Sequence, residues 1–120
     1  MKPKLADIAR KMAHKSSHTR ARVGCVIARR SSVIGLGFND GIKTHAKSNH
    51  PYKSIHAEFD AVLSARGADV SGCTAYVCRV LKNGELAMAK PCVHCEAMLR
   101  KLGIKEVWYS TDEGWCLDSY

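Results

Sequence analysis

The sequence predicts an α/β domain built on a mixed sheet. Three observations carry this expectation. Helical and strand periodicities alternate along the chain in the order αββ, then αβ twice. The first two strand-like runs are joined by a short turn and should pair as an antiparallel hairpin. The later strands are separated by helices, so part of the sheet should be parallel.

The elements follow in order. Lys4 to His14 places Leu5, Ile8, Ala9 and Met12 three and four residues apart, which predicts a short amphipathic helix. Ser16 to Arg22 is polar and ends it. Val23 to Ala28 and Val33 to Phe38 read as strands around an Arg29-Arg30-Ser31-Ser32 turn. Asn39 to Ser54 is long, polar and aperiodic, a loop of the kind that is either functional or disordered. Ile55 to Arg66 returns to helical spacing, with Gly67 where a C-terminal cap belongs. Cys73 to Leu81 is rich in strand formers, and Asn83-Gly84 marks a turn. Cys92 to Leu102 reads as a third helix closed by Gly103, and Ile104 to Tyr109 as a fourth strand. Thr111 to Tyr120 reads as a short acidic tail.

The length of 120 residues, 46% hydrophobic and 25% charged, suits one domain spanning residues 1–120 that needs no disulfides to fold. Collagen, coiled coil and bulk disorder are excluded by composition. No run approaches a membrane span, and no apolar stretch follows the basic start, so a cytoplasmic location and no membrane partner are expected. Nineteen Lys and Arg against eleven Asp and Glu give +8, a balance that favours phosphorylated small molecules or nucleic acid over cationic substrates. Of six cysteines, Cys25, Cys73 and Cys78 lie in apolar runs and read as core residues; Cys116 lies in the polar tail.

Cys92 and Cys95 stand apart. Cys92-Val93-His94-Cys95, preceded by Pro91, sets two thiols three residues apart at the opening of a helix, where one metal can be gripped and the thiolate is favoured. Cys-x-x-Cys alone also fits a redox pair or half of a structural zinc site. A redox pair normally follows the first strand, and a closed zinc site needs two more ligands at finger spacing, which are absent. His56-Ala57-Glu58 opens the preceding helix instead. His56, Cys92 and Cys95 then supply three ligands and leave a fourth position for water, the arrangement of a catalytic zinc. Zinc brings the pKa of its water from ~16 toward ~7, and Glu58 can handle the proton.

H-x-E followed by P-C-x-x-C is the signature of zinc-dependent nucleobase deaminases. On these residues the chain resembles the cytidine/deoxycytidylate deaminase superfamily, from the first helix to the fourth strand. The resemblance implies a three-layer αβα fold with a mixed sheet, both zinc helices on one face, C-terminally short. It implies Zn2+ held by His56, Cys92 and Cys95, and hydrolytic deamination of a cytosine nucleotide, dCMP foremost, with Glu58 as proton shuttle. Gly37-Phe38-Asn39 resembles the Gly-aromatic-Asn whose asparagine contacts the sugar hydroxyl; the backbone N–H of Ala57 is expected to hold the ring carbonyl. A homo-oligomer is also implied.

Two departures stand out. Asp40-Gly41-Ile42 replaces the Gly-x-Pro common in deoxycytidylate deaminases, and the family's usual fifth strand and last helix are expected to be absent, leaving a sheet edge for a partner subunit to cover. His45 and His50 in the long loop could line a pocket, bind a second zinc or be plain loop residues; Lys43, Lys47 and Lys53 could meet a phosphate or be solvated. His14, His18 and His94 are expected away from the metal. A deaminase acting on cytosine or adenine within RNA or DNA is the rival enzyme, which the charge permits and the lack of a dedicated single-strand module disfavours. An inactive zinc scaffold is a further rival, disfavoured by Glu58, which a structural site does not need.

Overall fold

The computed structural model describes residues 1–17, 21–40 and 56–120. Its elements are α1 (Pro3–His14), β1 (Arg22–Arg29), β2 (Ser32–Phe38), α2 (Ala57–Ser64), β3 (Thr74–Val80), β4 (Leu86–Ala87), α3 (Val93–Lys101), β5 (Glu106–Thr111) and β6 (Gly114–Ser119). The order is thus αββ three times over. The sheet runs β2-β1-β3-β5-β6, with β4 pairing β3 at one end. β3 and β5 are parallel, joined through α3, and every other pair is antiparallel. The mixed sheet expected from the sequence is therefore present.

Two strands exceed the expectation. β4 closes a small hairpin on β3 around Asn83-Gly84, with the Leu81 N–H donating to the Glu85 carbonyl (2.8 Å). The larger correction concerns residues 111–120, read as an acidic tail with the family's fifth strand absent. They form a tight turn and β6, which pairs with β5 from Glu106↔Ser119 to Thr111↔Gly114. The Thr111 hydroxyl donates to the Gly114 carbonyl and accepts from the Glu113 N–H, fixing the turn. Trp115 then meets the Tyr76 ring edge-on, with centroids 6.4 Å apart.

Strand alternation sorts the core into two layers around the sheet. On one face, Leu5, Ala6, Ala9 and Ala13 of α1 pack on Val26, Ala28, Tyr76, Cys78 and Val80. On the other, α2 and α3 bring Ala57, Ala61 and Leu99 against Cys25, Ile27, Val77 and Val107. Full burial of side chains such as Ile27 and Leu99 is worth roughly 1.5–3 kcal/mol each. Cys25, Cys73 and Cys78 are core residues, as expected, and Cys116 is exposed.

Both site helices are fixed in place by local chemistry. α2 rests directly on β2: a Cβ on Gly37 would lie on the backbone of Ala57 and Ala61, so only glycine admits the helix this close. The β2 N–H groups of Leu36 and Phe38 donate to Ser64 Oγ (2.7 Å) and the Asp60 carboxylate (3.1 Å), tying the helix to the edge strand. α3 ends as the sequence predicts. Gly103 takes φ +85, its N–H donates to Arg100, and the Ile104 N–H donates to Leu99, a Schellman closure with Ile104 and Leu99 in the same core.

Gly37→Ala should lower stability by about 1–3 kcal/mol, because the added methyl must push helix backbone rather than a flexible side chain. In a thermal melt this corresponds to a midpoint roughly 5–15 °C lower. An unchanged midpoint would show that α2 does not sit against β2 as described. Among the described residues, no helix is long and apolar enough to cross a membrane.

Candidate metal and substrate site

The N-termini of α2 and α3 meet over the end of the sheet where β1 begins and β3 finishes. His56 is the N-cap of α2 and Cys92 the N-cap of α3, both in extended backbone conformation; Cys95 lies in the first turn of α3. The extended caps turn His56 and Cys92 across the gap between the helices. The donor atoms of His56, Cys92 and Cys95 lie within 4.8 Å of one another. His56 Nδ1 is 3.6 Å from Cys95 Sγ and 3.9 Å from Cys92 Sγ. A tetrahedral zinc with ordinary Zn–N and Zn–S bonds places such donors about 3.5 Å apart, so these three residues fit that ion. Burial, then the charges of Glu58 and Cys92, push the Cys95 thiol far above its ordinary range, a cost that a coordinated cation would offset.

Glu58 is the second residue of α2 and only 5% exposed. Burial raises its carboxyl above the usual range, an effect partly offset by its own backbone N–H and the Cys95 thiol. A carboxyl shifted in this direction, held beside a candidate metal site, is suited to accept and return a proton.

His56, Glu58 and Cys92 face a cavity of about 250 Å³. Asn39, Ala57, Arg79 and Lys90 complete its functional wall with His56, Glu58 and Cys92. Asn39 is brought to the site, but its carboxamide is largely engaged: Oδ1 accepts from Ser16 Oγ (2.6 Å) and the Val23 N–H (2.8 Å), and Nδ2 donates to the Ala21 carbonyl. One Nδ2 proton is left over. Ala57 begins α2, so its N–H has no acceptor within the helix.

The structure thus gathers His56, Ala57, Glu58, Cys92, Cys95 and Asn39, all singled out from sequence. Arg79 and Lys90 were not singled out. Arg79 lies in an otherwise apolar strand, and the signal that could have found it is the period of two: it shares the face of Ala75 and Val77, which is buried against the site helices. His14 and His94 are exposed and outside the metal group, as expected. His18, Lys43, His45, Lys47, His50 and Lys53 lie outside the described residues.

Comparison with known proteins is consistent with this geometry. Residues 2–111 match the family model "Cytidine and deoxycytidylate deaminase zinc-binding region". A deoxycytidylate deaminase of Pongo abelii is 26% identical over 116 residues, covering 84% of this chain and 59% of its own length. One from Saccharomyces cerevisiae is 33% identical over 124 residues, covering 89% of this chain and 35% of its own length. The chain thus spans little more than half of the first relative and about a third of the second. Among solved structures, a cytidine deaminase from Burkholderia pseudomallei superposes with TM-score 0.71 at 19% identity, covering 99% of this chain and 92% of its own. The dCMP deaminase of cyanophage S-TIM5 in apo form gives 0.65 at 21% identity, covering 91% and 84%. At these identities the structural likeness establishes the fold.

Proposed function

The chain belongs to the cytidine and deoxycytidylate deaminase zinc-binding family, and on that premise we propose that it hydrolyses the exocyclic amine of a cytosine nucleotide, dCMP foremost. The observation that carries the reading is a buried carboxyl, Glu58, set beside the His56, Cys92 and Cys95 cluster on a cavity wall. A structural metal site has no use for such a group. The deoxycytidylate deaminases among the relatives supply the choice of base.

Held by His56, Cys92 and Cys95, zinc supplies Lewis-acid activation of water at neutral pH. Glu58 takes the proton that water loses as its oxygen bonds to C4, and delivers it to N3. A second proton passes through the same carboxyl to the amine, the C4–N bond breaks, and ammonia leaves with a carbonyl at C4. The Ala57 N–H donates to the ring carbonyl at C2. The uncommitted Nδ2 proton of Asn39 donates to a sugar hydroxyl oxygen, while its other bonds fix the amide plane.

A screen of dCMP, CMP, deoxycytidine, cytidine and cytosine- or adenine-bearing single-stranded oligonucleotides for ammonia release tests this. The expected result is fastest turnover of dCMP, slower turnover of cytidine, and little reaction on strands at moderate salt. Efficient deamination of strands with none of the free nucleotides would replace this reading with nucleic-acid deamination. Strand binding would then weaken steeply with salt, whereas one monophosphate gives a shallow dependence.

A further inference from the structure

We infer that Arg79 is the residue that binds the phosphate of the substrate, an inference that rests on the nucleotide reading above. Arg79 lies near the end of β3, next to Val80, on the face that carries the site helices, and it lines the same cavity as His56, Glu58 and Cys92. Its Nε is buried with no hydrogen-bond partner among the described residues, and no described carboxylate lies within ion-pair distance of its guanidinium. A buried cationic N–H without an acceptor is costly, so an acceptor supplied by water, an ion or a ligand belongs beside it.

Lys90, the other cation on the wall, differs. Its ammonium lies 3.6 Å from the Asp118 carboxylate and is half exposed, so its charge is already partly offset. The guanidinium is also the better match to a phosphate, since Nε and a terminal nitrogen form a planar fork that meets two oxygens at once.

Position agrees with chemistry. Asn39, Val23 and Arg79 form one row across the sheet: the Asn39 N–H donates to the Val23 carbonyl (3.0 Å), and Val23 pairs with Arg79. Adjacent strands are about 4.8 Å apart, so the row sets Asn39 and Arg79 roughly 10 Å from each other across the mouth of the site. That backbone separation leaves room between the two side chains for the sugar and phosphate of a nucleoside monophosphate, whose base and sugar are neutral and whose phosphate is its one anion. Arg79 therefore reads the phosphate, and with it the preference for nucleotide over nucleoside.

The test is Arg79→Gln in the zinc-loaded protein, with two readouts. The first is the ratio of kcat/KM for dCMP to that for deoxycytidine. Loss of a charge-assisted pair should lower this ratio roughly 10- to 100-fold, through KM. The second is calorimetric titration with dUMP and with deoxyuridine, which does not depend on turnover; dUMP should weaken by a similar factor relative to deoxyuridine. Arg79→Lys keeps the charge without the fork and should lose a smaller part of the preference, which keeps the test open if the glutamine variant folds poorly. An unchanged ratio together with unchanged relative dUMP affinity overturns the assignment, as does equal damage to nucleotide and nucleoside. Failure of the functional reading looks different: the wild type would deaminate neither compound, and the titrations would still decide Arg79.

Discussion

Glu58→Gln is expected to keep zinc and fold and to reduce turnover by at least ~10²–10⁴-fold, the usual worth of a positioned acid–base group. The reason is local. Glu58 is buried in the first turn of α2, its carboxyl is raised by that burial, and it faces the cavity beside the Cys95 thiol. Glutamine has the same shape and hydrogen-bonding reach but cannot carry a proton between water, ring nitrogen and amine. The loss should appear in kcat, with KM for dCMP little changed and one zinc per chain retained by metal analysis. Turnover near the wild-type rate would remove Glu58 from the mechanism. Loss of zinc would make it a ligand, which its place outside the His56, Cys92 and Cys95 group argues against.

Cys95→Ser should do the opposite: metal is lost first, and activity follows. Cys95 is buried between Glu58 and His56, 3.6 Å from His56 Nδ1, and a serine hydroxyl is a far poorer zinc ligand than a thiolate at neutral pH. Zinc content should fall from one per chain to a small fraction after dialysis against a mild chelator that leaves the wild type loaded. Stability should fall with it, because a ligand at a thousand times its Kd contributes about 4 kcal/mol to the folded state. A variant that retains full zinc would show that another residue completes the site.

Much of this site was readable from the chain because its chemistry is local. His-x-Glu and Pro-Cys-x-x-Cys each open a helix, and a helix opening fixes where its side chains lean. What the motif alone does not show is that His56 and Cys92 are N-caps, whose extended backbone turns their donor atoms toward each other across the gap. The sheet was legible where periodicity is long, in β1, β2, β3 and β5. It was not legible in β4, two residues long, nor in β6, where Asp118 and the Asp112-Glu113 turn before it disguise a strand whose stability comes from pairing with β5 and from Trp115 against Tyr76. Such pairing is a tertiary effect, and it outweighs local propensity. Arg79 was hidden for the same reason. A charge inside Thr74–Val80 reads as a solvated residue until the register shows that its face is the one beneath the metal helices. Asn39 shows the converse: the sequence placed it at the substrate, and the structure places it at the cavity while using three of its four hydrogen-bonding positions to hold Ala21, Val23 and Ser16.

The most direct measurement is the fate of solvent oxygen. The zinc-loaded protein should be incubated with dCMP in water enriched in 18O, and the ammonia and pyrimidine product quantified together. Hydrolytic deamination predicts one ammonia released per dUMP formed, with one solvent oxygen in the new C4 carbonyl of each product molecule, and no product from Glu58→Gln on the same timescale. Release of no ammonia from dCMP, or formation of dUMP without solvent oxygen at C4, would contradict it.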